Sequence, residues 1–171
     1  MSMRGARPLH PARWLGIPLL VCIAATIVFS APLRLWGLQL PEPVFAMVPA
    51  FAWALIRPSI LAPFAILVLG LFLDLFWGGP TGLWGLSLLV AYAMVLIARN
   101  MMTGQSRPMM WAWFAGVTAV AMIAGFLFSM LDSLAMPSLL AVFWQFLATA
   151  LLFPFAHRLV DRFDDADVRF R

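Results

Sequence analysis

The chain has 171 residues, of which 64% are hydrophobic and 11% charged, and its net charge of +4 is carried on arginine, with no lysine present. A soluble domain carries roughly 25% charged residues, so a water-soluble globule is excluded and a single membrane domain is indicated. Nucleic-acid binding is excluded too, because the arginines stand singly between apolar runs instead of clustering on one face.

A helix needs about 20 mainly apolar residues to cross a bilayer. The first candidate runs from Trp14 to Ala31 and contains the lone Cys22, which reads as a small buried hydrophobe and leaves no disulfide framework or cysteine-based metal site. Arginines precede this run, but it is rather long for the apolar region of a secretory signal, about 7 to 15 residues, and further spans follow it. A connection from Pro32 to Pro43, holding Arg34 and Glu42, leads to a shorter apolar stretch, Val44 to Ile56, interrupted by Pro49. Ser59 to Trp77 is the third candidate, Gly82 to Ala98 the fourth, Met109 to Leu131 the fifth and Ser138 to Ala156 the sixth. Tryptophans 14, 36, 77, 84 and 111 fall near span ends, as interfacial anchors do. Pro49 and Pro154 should kink their helices.

Arginine placement decides whether the short second stretch counts as a span, because short cytoplasmic loops are enriched in Arg and Lys. With six spans and a cytoplasmic N-terminus, Arg34 is the one arginine outside. Demoting the second stretch reverses everything after it, leaving three arginines inside and eight outside. The expected fold is an all-α bundle of six transmembrane helices with both termini cytoplasmic. Residues 1–158 form the membrane domain, and 159–171 a short mixed-charge cytoplasmic tail.

One carboxylate interrupts the third span, in the stretch GLFLDLFWGGPTG from Gly70 to Gly82. Asp74 is tolerated there. From Ile60 to Phe76 there are twelve Leu, Ile, Phe or Val residues, each worth roughly −0.3 to −0.6 kcal/mol on insertion, against about +2.5 to +3.5 for an aspartate at the centre. Gly70, Asp74 and Gly78 share one helical face at intervals of four, and small residues on such a face let another backbone approach. The Gly78-Gly79-Pro80-Thr81-Gly82 corner then turns the chain, with Thr81 a candidate cap for the next helix. Asp74 either bonds backbone or a neighbouring helix and locks the bundle, or contacts a partner or ligand on the stripe, or carries a proton or takes part in catalysis. The residues proposed for a partner are Gly70, Asp74, Gly78, Gly79, Pro80 and Gly82.

The remaining polar residues suggest less chemistry. Gln145 and Thr149 share a face of the last span and read as a bond between helices, while Asp132 ends the fifth span and reads as solvated. No histidine lies in a span and no His-Glu-x-x-His occurs, so neither a serine nor a metal-dependent intramembrane protease is indicated. His10 and His157 lack metal-ligand companions. Asp74 and Asp132 could form an aspartyl-peptidase dyad. However, the polar segments that lipoprotein signal peptidases carry around such aspartates are missing. No catalytic residue, cofactor or metal is expected.

The segment from Trp53 to Leu89, WALIRPSILAPFAILVLGLFLDLFWGGPTGLWGLSLL, resembles the signature of the MreD family of bacterial rod-shape-determining membrane proteins. The elements that carry the resemblance are Arg57-Pro58, Gly70-Leu71 with Asp74, and Gly79-Pro80 with Gly82; elsewhere it extends only to hydropathy. The resemblance implies a non-enzymatic component of the cell-elongation machinery in the bacterial inner membrane. Its implied partners are MreC and through it MreB, a RodA-type polymerase and a class B penicillin-binding protein. It also implies a fold similar to the substrate-binding subunits of energy-coupling-factor transporters. The alternative reading is a small-molecule-binding membrane transport subunit.

Overall fold

A computed structural model of the chain describes residues 12–30, 34–35, 38–39, 42–56, 59–102, 104–133 and 138–168. Arg57 and Pro58, His10 and the arginines at 4, 7, 169 and 171 lie outside them.

The described residues are helical almost throughout. A π-helical turn, Ala12–Gly16, leads into α1 (Ile17–Phe29). A two-residue antiparallel ladder follows, Arg34–Leu35 with Leu38–Gln39. Then come α2 (Met47–Ile56), α3 (Leu61–Trp77), α4 (Leu83–Met102), α5 (Arg107–Ser133), α6 (Leu139–Ala150) and α7 (Phe153–Val168). Only a turn at Leu151 and Leu152 separates α6 from α7, and Leu139–Asp161 is long and apolar enough to cross a membrane as one unit. Leu83–Met102 and Arg107–Leu131 also qualify. The protein is thus a helical membrane protein by length and composition.

The second apolar stretch behaves differently from a full span. At 10 residues, α2 is about 15 Å long, half the thickness of a hydrocarbon core. It is also the most enclosed element, with every residue from Met47 to Ala54 buried. It packs against α4, α7 and α3, and Phe51 meets Phe114 of α5 edge to face at 5.3 Å. An apolar stretch this short suits a core helix better than a lipid-facing one. At the other end of the chain, α7 carries helix to Val168, into the mixed-charge tail.

Prolines inside these helices leave carbonyls without their usual donor four residues on. Side chains from other helices replace it. Pro18 frees the carbonyl of Trp14, which accepts from Trp53 Nε1–H at 3.0 Å. Pro49 frees that of Phe45, which accepts from the Val48 amide at 3.1 Å and faces Cys22 Sγ at 3.6 Å. Pro154 frees that of Ala150, which accepts from Trp111 Nε1–H at 3.1 Å. Neighbouring helices satisfying freed backbone groups in this way is what lets proline occur inside membrane helices.

Candidate functional site

α3 and α4 pack on each other more extensively than any other pair of helices, and the residues at their joint explain why. The helix α3 ends at Gly78, which takes a left-handed conformation with φ 66°, available without strain only to glycine. Its amide returns to the Asp74 carbonyl, and the Gly79 amide bonds the same oxygen at 3.0 Å. Both bonds are ways in which a glycine closes a helix C-terminus. Gly82 has φ 98° and directs the chain into α4.

The Asp74 side chain crosses this corner. Its Oδ2 accepts from the Gly82 amide at 2.7 Å, and its Oδ1 accepts from the Trp84 amide at 2.9 Å. The first amides of a helix lack intrahelical partners and carry partial positive charge. Asp74 is therefore the capping carboxylate of α4, supplied by the preceding helix. Thr81 does not take that role, since the Trp84 amide it would accept from bonds Asp74 instead. With the side chain 1% exposed and each oxygen already bonded to an amide, the carboxylate serves the joint.

Gly70 completes the arrangement one turn earlier. A Cβ placed there would overlap the backbone of Gly85 on α4. The two helices cross with main chain against main chain, and Gly70 must remain glycine for them to do so. Gly125 of α5 extends the contact, since a Cβ on it would sit 2.9 Å from the Ser87 hydroxyl of α4.

The residues expected to face a partner are placed differently from one another. Gly70 and Asp74 are buried against α4, inside the chain, because their small and polar groups meet a helix of the same molecule. Pro80 and Gly82 are half-buried, while Gly78 and Gly79 are exposed. Of these six residues, Gly78 and Gly79 are the ones on the open rim of the corner.

Sequence reading missed Glu42. Its Oε2 accepts from Trp77 Nε1–H at 2.7 Å, and Trp77 meets the Trp84 ring edge to face at 5.2 Å. The start of α2 is thereby tied to both ends of the joint. A single glutamate 35 residues from its partner leaves no local pattern to detect.

Of the pair on the last span, Thr149 is the one whose side chain bonds a distant part of the chain, in the connection just before α2. It is fully buried, donates to the Gln145 carbonyl at 2.7 Å and accepts from the Val44 amide at 3.0 Å. The Gln145 side chain instead borders a cavity. His157 stacks on Phe153 and lies 3.2 Å from Asp161 one turn on. Asp132 falls in the last turn of α5. Among the described residues no group of three or more His, Cys, Asp or Glu is placed to hold a metal ion.

Compared with family models, with curated proteins and with solved structures, the chain matches none.

Proposed function

We propose that this chain is an MreD-like, non-enzymatic component of a bacterial cell-elongation complex, resident in the inner membrane with both termini cytoplasmic. In this reading it holds MreC, and through it MreB, near a RodA-type polymerase and its class B penicillin-binding protein. The observation that carries the reading is the Asp74 cap. The residues in the MreD-like segment, Gly70, Asp74, Gly79, Pro80 and Gly82, are those that build the joint between α3 and α4. Such a joint suits a rigid frame that presents helix faces to other membrane proteins.

The partner face is then the outside of the braced hairpin. Leu61, Phe64, Val68, Leu71 and Leu75 recur along α3 at helical spacing and are all exposed, Leu75 at 77%. They continue at one end into the exposed Gly78 and Gly79. Without a hydrophobic drive between helices in lipid, such a face associates through close packing.

The test is to deplete the protein in its host and measure cell width while restoring the wild type, Asp74→Ala, or Phe64→Ala with Leu71→Ala. Rounding rescued only by the wild type is expected, with the α3 double variant still folded and inserted but no longer co-purifying with MreC. Unchanged width after depletion, in a host without a second copy, would overturn the assignment.

A further inference from the structure

Two cavities of about 230 Å³ each lie beside the joint. They share Met122 and Phe126 of α5 and Val142 of α6, which border both. The first is walled by the Gly79-Pro80 corner and Trp84, with Ser129 and Gln145 contributing polar groups. The second is apolar throughout, with Ala119, Ile123, Leu139, Phe143 and Phe146 around it.

The guest is constrained by size, polarity and access. An apolar cavity of about 150 Å³ already takes a benzene-sized guest and stays dry, so the second cavity suits hydrocarbon rather than water. A partner helix about 10 Å across needs on the order of 400 Å³ for each 5.4 Å turn, which neither cavity offers. Ile123, Leu139 and Phe143 are each more than half exposed, on a surface that a bilayer would cover, so the second cavity opens toward lipid chains. The first cavity is different, because Ser129 and Gln145 put polar groups on its wall. Gln145 lies six residues into α6, about 9 Å along its axis from Leu139. A lipid whose chain lies along the apolar half can bring an ester carbonyl to it. An amide in apolar surroundings needs such an acceptor or donor. Met122, flexible and polarizable, can shift to join the two halves.

We propose that this paired cavity between α4, α5 and α6 binds one glycerophospholipid. An acyl chain lies over the apolar half, and the ester region meets Gln145 and the wall formed by Trp84 and the Gly79-Pro80 corner. The site is independent of any role in cell elongation.

The test is native mass spectrometry of the full chain, delipidated in detergent and titrated with phosphatidylglycerol. The wild type is expected to retain one lipid after detergent removal. Val142→Trp, which crowds the border of both cavities, should reduce the retained fraction at least fivefold. Gln145→Leu, which keeps the side-chain size and suits a membrane helix, should reduce it at least twofold. Ile27→Trp, on the exposed face of α1, should leave it unchanged. If Val142→Trp fails to fold, Gln145→Leu decides. Equal retention in Gln145→Leu, Ile27→Trp and the wild type would mean annular lipid only and overturn the site. So would no retention at all, or displacement of the lipid by a water-soluble vitamin.

Discussion

The Trp84 amide and the Asp74 carboxylate, ten residues apart in the chain, meet at 2.9 Å, so one helix supplies the N-terminal cap of the next. This reach across the corner makes the α3–α4 hairpin a unit and accounts for a carboxylate in an otherwise apolar helix.

Removing the carboxylate is expected to open the joint. Hydrogen bonds to a charged group contribute about 1.5–3 kcal/mol each, and Asp74 accepts two, so Asp74→Ala should destabilise the protein by about 3 kcal/mol or more. Asp74→Asn isolates the second of these two bonds. Its amide presents one acceptor oxygen and one donor nitrogen, and the donor would face an N–H. Asparagine should therefore recover less than half of the loss in denaturant unfolding in detergent. Full recovery by asparagine would mean that the second amide bond contributes nothing.

Three glycines near the joint should rank in a definite order when changed to alanine. Gly70→Ala forces a Cβ into the Gly85 backbone, which cannot swing aside, and overpacking of this kind costs about 3 kcal/mol or more. Gly85→Ala meets only Leu67 Cδ1 at 3.2 Å, the movable end of a side chain, and should cost about 1 kcal/mol. Gly79→Ala meets nothing within 4 Å and should be close to neutral. Thermal unfolding of the three variants checks the order, and a Gly79 effect as large as that of Gly70 would contradict the crossing geometry.

These contrasts show what the sequence could and could not reveal. Hydropathy was enough to find the helical membrane fold, and the spacing of Gly70, Asp74 and Gly78 marked α3 as the place where something approaches closely. It could not say that the approaching surface was α4, because the groups Asp74 binds are backbone amides, which every residue carries. Gly85 looked like any other glycine until its position against Gly70 was known. The enclosure of α2 was equally hidden, since an apolar stretch of that length reads the same whether lipid or protein surrounds it. The Glu42–Trp77 bond depends on the connection before α2 returning to the corner, which no local pattern records.

Thr149 offers a test of how the start of α2 is held. Its hydroxyl accepts from the Val44 amide, in a region where no water replaces a lost partner. Bonds between membrane helices average about 0.6 kcal/mol, but leaving a buried amide without an acceptor costs about 1–3 kcal/mol. Thr149→Val, nearly the same shape, should therefore cost about 2 kcal/mol, with Thr149→Ser within about 1 kcal/mol of the wild type. Hydrogen exchange at Val44 should quicken in the valine variant alone. If valine and serine behave alike, the hydroxyl is not what holds α2.

The tryptophan donors provide the most discriminating test, because proline creates the need that each one meets. Trp111 Nε1–H bonds the Ala150 carbonyl, whose usual donor four residues on is lost to Pro154. Trp111→Phe keeps the ring and removes the donor, so it should cost about 1–2 kcal/mol. Restoring a backbone N–H with Pro154→Ala gives that carbonyl a partner within its own helix. Trp111→Phe should then cost much less, and the two substitutions should couple by about 1 kcal/mol in a double-mutant cycle of unfolding free energies. Trp53 and Pro18 form the same relationship through the Trp14 carbonyl and should show coupling of the same sign. Additive effects at both pairs would mean that the tryptophans act through packing alone, and that the kinked carbonyls find other partners.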